Sequence, residues 1–260
     1  MSSPALDTLP RVNIAGMPVV RVTRAELAQQ MVRDWQAQQQ SGRTLLPKVA
    51  LSINGQGAAY YNTDALTRQA MDAAEYIHAD GQGVVLASRW LTSAPIPERC
   101  ATTDFFHDAA RAAEQEGLSF YFLGGAEAEN AAAVAEAQRL YPRLKIAGRR
   151  NGYWKPEEEA AVVATIQATQ PDVVWINLGK PKQEEFCLKY RDALQGVTWF
   201  KTCGGLYKFL GGIDKRAPLW MQKIGFEWFY RMMCEPRRLF WRYLVTNNQA
   251  IWYTLTKSKN

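Results

Sequence analysis

The sequence predicts an α/β protein with a mostly parallel sheet, helices on both faces of that sheet, and a helical appendage at the C-terminal end. Two observations predict it. Between about residues 10 and 210, short apolar β-rich runs alternate with amphipathic stretches, the pattern of strand–helix units that pack in layers. After Gly212 the strand-like runs stop and only helical, aromatic, basic sequence remains. This change divides the chain into a core, 1–212, and an appendage, 213–260. With 260 residues and 47% hydrophobic content, the chain can bury a core as one large domain or two closely packed lobes.

The elements follow in order. RVNIAGMPVVRVT (11–23) reads as a hairpin turning at Gly16, and TRAELAQQMVRDWQAQQ as the helix after it. KVALSIN (48–54) is a buried strand, followed by a helix to about Met71. YIHAD (76–80) precedes the helices VVLASRWL and TDFFHDAARAAEQEG, the second stopping at Gly117 in a left-handed cap. LSFYFLGG (118–125) is a strand with a glycine turn, and EAENAAAVAEAQRLYP is its helix. The unit repeats as LKIAGRRNGY and PEEEAAVVATIQAT, where Pro156 suits a first helical turn. It repeats again as DVVWINLG (172–179), PKQEEFCLKYRDAL and VTWFKTCGG (197–205). The appendage reads as two helices, PLWMQKIGFEWFYRMM and PRRLFWRYLVTNNQAIWYTLTKSK, separated at Pro236. In the second, Phe240, Leu244, Ile251 and Leu255 fall near one face, with Arg237, Arg238 and Arg242 toward the other side.

Composition narrows the function classes. Cys100, Cys187, Cys203 and Cys234 are spread singly, which suggests neither a zinc site nor a disulfide framework and fits a reducing cytoplasm. The N-terminus lacks a basic segment followed by an apolar one, and no run of about 18 uncharged apolar residues occurs, so neither a signal peptide nor a spanning helix is expected. The net charge of +6 is unevenly placed: residues 201–260 hold 11 Lys/Arg against 3 Asp/Glu, and 12 of the 30 aromatics. Such a tail is either a pair of helices packed on the core with solvated arginines, or an amphipathic surface at a lipid interface.

Four polar or glycine loops follow strands: Ser52-Ile53-Asn54, Asp80-Gly81-Gln82-Gly83, Gly124-Gly125, and Gly179-Lys180-Pro181-Lys182-Gln183-Glu184. In an open parallel sheet these gather at the carboxyl ends of the strands, where ligands bind, and the helix N-termini that follow offer N–H groups to a diphosphate. Asp80 is either the N-cap of the next helix, which would favour its ionised form, or a general base that takes the proton of an attacking hydroxyl. Ser52 and Asn54 either satisfy backbone groups or bind sugar hydroxyls. Gln183 and Glu184 read equally as first-turn helix residues, whereas Lys182 in that turn opposes the helix dipole and so points to an anionic partner. No Asp-x-Asp pair is present for a metal-bound nucleotide diphosphate, so N–H groups, Lys and Arg are expected to meet the leaving-group charge. His78 and His107 read as structural or surface residues. GxxxxGK[ST] and GxSxG are missing, which argues against a P-loop kinase and an α/β-hydrolase.

Taken in order, SIN, ADGQGVVLA, IPERCATTDFF, FYFLGGAEA, NGYW, LGKPKQE and KRAPLWMQKIGFEWFYRMMCEPRRLFWRY resemble the WecG/TagA/CpsF family of bacterial glycosyltransferases, glycosyltransferase family 26. The likeness runs from about Val12 to Tyr243. It implies a Rossmann-like core with a membrane-associating helical appendage, peripheral at the cytoplasmic face of the plasma membrane. It also implies a metal-independent inverting enzyme without a cofactor, which moves a sugar from a UDP donor to an undecaprenyl-diphosphate-linked sugar in polysaccharide or teichoic acid assembly. By the resemblance Asp80 is the general base, Ser52 replaces the family's usual Thr, and Asn54 and Gln183 match its Asn and Gln. Gln82, Gly124, Gly125, Tyr153, Gly179, Lys182, Gly204, Gly205 and Lys208 fall in the substrate-binding blocks, and Arg231, Arg237 and Arg238 correspond to arginines that reach toward the acceptor diphosphate. Two departures stand out: Lys208 occupies the place of the family's usual Asp, where a cation facing the donor would favour a different sugar, such as one carrying a carboxylate, and an exposed one would change nothing, and ATTD (101–104) replaces TGTD. The rival classes are a dinucleotide-binding oxidoreductase, which lacks GxGxxG after the first strand, and a nucleic-acid-binding protein using the basic tail. Self-association is left open.

Overall fold

The computed structural model describes residues 9–258. It opens with an antiparallel hairpin, β1 (Arg11–Ile14) and β2 (Met17–Val20), in which Ile14 pairs with Met17. The two turn residues, Ala15 and Gly16, both take positive φ, 53° and 89°, as a two-residue hairpin loop demands. The helix α1 (Arg24–Gln40) follows a capping box in which Thr23 and Glu26 exchange hydrogen bonds.

The main sheet is six-stranded and parallel throughout. Its strands are β3 (Lys48–Ile53), β4 (Tyr76–Ala79), β5 (Ser119–Gly124), β6 (Lys145–Arg150), β7 (Val173–Asn177) and β8 (Trp199–Thr202), in the spatial order β4-β3-β8-β7-β5-β6. Parallel strands are covered on both faces, and the side chains show it: Val173 and Trp175 enter one core cluster, Val174 and Ile176 the other. One face carries α1, α5 (Thr102–Glu116), α6 (Glu127–Leu140) and the short α9 (Leu206–Leu210), which bury Met31, Phe105, Phe106, Ala133 and Tyr207. The other carries α2 (Gly55–Thr63), α3 (Ala65–Asp72), α7 (Glu159–Thr169) and α8 (Lys182–Tyr190), which bury Ala58, Met71, Ile166 and Phe186. Trp175 and Trp199 are fully buried, and Phe106 meets Trp175 edge-on at 5.0 Å between centroids. Each such side chain contributes about 1.5–3 kcal/mol by burial.

Two expectations need correction. The helix after β3 is not continuous to Met71 but breaks into α2 and α3 at Asp64, whose carboxylate accepts from the Thr67 amide at 2.7 Å. A side chain that caps a new helix competes with continuing the old one. The appendage forms three helices rather than two: α10 (Leu219–Lys223), α11 (Glu227–Cys234) and α12 (Pro236–Lys257). Gly225, at φ +85°, ends α10 in the left-handed conformation that stops a helix. The longest helix, α12, lies along α2 with Leu239, Tyr243, Thr246 and Ala250 buried. Just after α12, Ser258 Oγ accepts from the Ala15 amide at 2.9 Å, which ties the helix to the hairpin.

Candidate active site

The carboxyl ends of β4, β3, β8 and β7 open into one cleft of about 1110 Å³. Ser52 and Asn54 from the β3 end, Asp80 and Gln82 after β4, Gly179 and Gln183 after β7, and Gly204, Gly205 and Lys208 after β8 all line it. The adjacency of β3 and β4 is close: Gly81 packs so tightly on Asn54 that a Cβ there would sit 3.1 Å from the Asn54 Cα. Asn54 caps α2 by accepting from the Gly57 amide at 3.0 Å.

Asp80 is not the cap of its own following helix. That helix, α4 (Gln82–Leu91), starts from Gly81 and has no side-chain cap. Asp80 instead aims across the cleft floor at the N-terminus of α5, where its Oδ1 accepts from the Thr102 amide at 3.2 Å. Arg99 Nε donates to the Asp80 carbonyl at 2.6 Å, fixing the loop from behind. Burial pushes the Asp80 carboxyl above the usual carboxylate range. Arg99, the Thr102 amide and Lys201 pull it back in part, and Glu227 adds to the rise. The expectation of a weakly basic, cap-stabilised carboxylate is therefore corrected: desolvation outweighs the helix terminus, and the group is a stronger base than a solvated aspartate.

Beneath Ser52 and Cys203, in register beside Ala50 and Trp175, lies Lys201, fully buried, with Nζ donating to the Thr202 carbonyl at 2.6 Å. Burial pulls its ammonium down to about 8. His78 is equally buried against Phe105, at 5.9 Å between centroids, and burial followed by the nearby Lys201 charge holds it neutral.

The loop after β7 puts Lys180 rather than Lys182 on the cleft. Lys182 is exposed at the start of α8 and does not line it. Lys180 Nζ lies 2.6 Å from the buried Glu184, which also accepts from Gln183 Nε2 at 3.1 Å. The Gly204 amide donates to Gln183 Oε1 at 3.3 Å, so Gln183 joins the loops after β7 and β8. Lys208 Nζ stands 3.6 Å from Glu129 on α6.

Gly124, Gly125 and Tyr153 do not line the cleft. Gly124 is wedged against β7, where a Cβ would meet the Asn177 carbonyl oxygen at 2.2 Å, and Gly125 takes a hydrogen bond from the Gly152 amide at 2.8 Å. These glycines close the β5–β7 junction. Tyr153 is 80% exposed.

The appendage roofs the cleft. Arg231 and Arg242 line it; Arg237 is exposed away from it, and the side chain of Arg238 lies outside the described residues. The Arg231 guanidinium rests over the Phe209 ring at 5.5 Å. Glu227, at the first turn of α11, receives Arg99 Nη2 at 2.6 Å and lies 3.8 Å from Arg216 Nε, while Arg216 also pairs closely with Asp104 of α5. Sequence reasoning missed Arg99, Lys201 and Glu227, and named Lys180 and Arg242 only as members of a loop and a helix face. A lysine inside an otherwise apolar buried strand was a readable signal for Lys201, whereas nothing local distinguished Glu227 from a solvated helix residue.

Fold and cleft together define an α/β protein with a cleft at the carboxyl edge of a parallel sheet under a basic helical roof, with the Asp80 carboxylate on its floor. Comparison with known proteins gives the family. The model of the glycosyl transferase WecG/TagA/CpsF family matches residues 12–260, and the chain belongs to that family. Over 177 residues it is 34% identical to the N-acetylglucosaminyldiphosphoundecaprenol N-acetyl-beta-D-mannosaminyltransferase of Bacillus spizizenii, a match that covers 68% of this chain and 66%, just under two thirds, of that relative.

Proposed function

We propose that this protein is an inverting, metal-independent glycosyltransferase that uses a UDP-sugar and a polyprenyl-diphosphate-linked sugar as acceptor, in bacterial surface polysaccharide assembly. Asp80 takes the proton from an acceptor hydroxyl, the oxygen attacks the donor's anomeric carbon from the face opposite UDP, the bond to the UDP oxygen breaks, and UDP departs. Configuration at that carbon inverts. Lys180, Arg231, Arg242 and the N–H groups of the glycine loops meet the diphosphate charges.

The observation that carries this reading is the placement of Asp80: one carboxylate, raised in basicity by burial, held over the N-terminus of α5 on the floor of a cleft ringed by cations. The family membership and the relative's printed substrate support the acceptor class. Residues 1–212 act as the catalytic core. Residues 213–260 are the appendage that keeps the enzyme peripheral on the cytoplasmic face of the membrane, through exposed Trp241, Val245 and Trp252 together with its arginines. No helix of the described residues is long and apolar enough to cross a membrane.

The test is transfer from a panel of UDP-sugars to short-chain lipid diphosphate acceptors, with products identified by mass. Asp80→Asn is expected to lower kcat roughly 100- to 10,000-fold with an unchanged melting temperature. Full activity in that variant rejects the assigned base. A donor carrying a carboxylate, if it is preferred, is expected to lose that preference in Lys208→Asp.

A further inference from the structure

The cleft that holds Asp80 is also lined by two helices, α4 and α12. Leu86, Trp90 and Leu91 line it from α4; Leu244, Ile251 and Leu255 line it from α12. These are not core residues that happen to touch a cavity: Trp90 is 82% exposed, Ile251 59% and Leu255 63%. Two rows of apolar side chains on one cleft expose surface that costs free energy in water unless something apolar covers it.

The arrangement on α12 separates this row from any membrane-facing one. Leu239, Tyr243, Thr246 and Ala250 face the core and are buried. Trp241, Val245 and Trp252, at i, i+4 and i+11, form an exposed stripe outside the cleft. Leu244, Ile251 and Leu255 form a third stripe, turned into the cleft. A helix resting on a bilayer offers the bilayer one face. The inward apolar row therefore needs a different occupant, and its surroundings specify one. The same cleft is lined by the Asp80 carboxylate, the Arg99, Arg231 and Arg242 cations, and the two apolar rows. A ligand that joins a sugar, an anionic diphosphate and a hydrocarbon chain matches the chemistry of that lining.

We infer that the slot between α4 and α12 holds the first isoprene units of the acceptor's lipid, next to its diphosphate, and so makes chain length a determinant of acceptor choice. This rests on the acceptor proposed above and adds to it the place where the chain leaves the site. Most of the chain passes on toward the bilayer, and only its head-proximal part is gripped.

The experiment compares kcat/KM in detergent micelles for two acceptors with the same sugar diphosphate, one bearing an undecaprenyl chain and one a single isoprenoid unit. Wild-type protein is expected to prefer the long chain tenfold or more. The double variant Trp90→Ser/Ile251→Ser, and separately Leu255→Asp, should collapse that ratio toward one. These positions are exposed, so the variants are expected to fold, as circular dichroism checks. Trp241→Ser/Trp252→Ser, altered outside the cleft, should keep the ratio. If the slot variants keep it, or if only the outer-stripe variant loses it, the slot is refuted. Transfer by wild-type protein to both acceptors without preference refutes the slot and leaves the transferase reading standing; transfer to neither, from any UDP-sugar, removes that reading and the slot with it.

Discussion

At Asp80 and Lys201 the same force, loss of water, acts with opposite sign: it lifts the carboxyl and lowers the ammonium, so each is less willing to be charged than in solution. If Asp80 is the base proposed above, the lift makes it a better one. The acidic limb of kcat/KM is accordingly expected above the ordinary aspartate range of about 3.9. Because the Lys201 charge holds Asp80 down, Lys201→Met should move that limb to still higher pH. The same change should stabilise the fold. With a folded value near 8 against 10.5 unfolded, Lys201 imposes its full cost below about pH 8, and the cost fades as pH rises toward 10.5. Thermal melts should therefore show Lys201→Met more stable by ~1–4 kcal/mol at neutral pH and equal to wild type above about pH 10.5. A destabilised variant at pH 7 would overturn this account. Gly124 is a purely steric case: at φ +106°, with the Asn177 carbonyl where a Cβ would stand, Gly124→Ala should cost about 1–3 kcal/mol or more in denaturant titration.

Among the elements, α11 is tied by its docking to the loop that carries the proposed base. Glu227 joins Arg99, which holds the Asp80 carbonyl, and Arg216, which pairs with Asp104, so a helix of the appendage and the loop bearing the proposed base share one charge network. The Arg99–Glu227 pair is largely shielded, with each side chain under one fifth exposed, so removing one charge leaves the other poorly solvated. Glu227→Gln is expected to lower kcat more than it raises KM, and to quicken protease cleavage in the segment 211–218. An unchanged kcat with unchanged cleavage would show that α11 docks independently of this contact. On α12 the outer stripe makes a separate prediction: Trp241→Ser/Trp252→Ser should release the protein from anionic vesicles in flotation assays.

For the whole molecule, strand order decides which loops become a site. The last sixty residues carry 11 Lys/Arg against 3 Asp/Glu, and they fold back as a roof over the sheet's carboxyl edge, so the basic surface and the cleft adjoin. Vesicle binding should then weaken as salt rises, since screening shortens the reach of these charges. The layered α/β plan was legible because both-face burial writes continuous apolar runs such as Val173–Asn177, and amphipathic helices write their own period. Ser52, Asn54, Asp80, Gln183 and Gly204 were legible as strand-end polar or glycine positions, and they do come together. Gly124 and Gly125 carried the same local marks and lie elsewhere, because β7 stands between β5 and β8 and turns that junction away from the cleft; Tyr153, named only by the resemblance, also lies outside it.

By itself, then, the sequence determined the layers, the helical basic end, the family, and the loops that lie at the carboxyl edge, since each of these is written in local periodicity or in ordered blocks of residues. Only the tertiary structure decided that Asp80 faces α5 instead of capping α4, that Arg99 and Glu227 bind the roof to the floor, and that α12 turns one apolar row inward. Those are contacts between segments distant along the chain, and their energies depend on burial and neighbour identity, which spacing in the sequence does not encode.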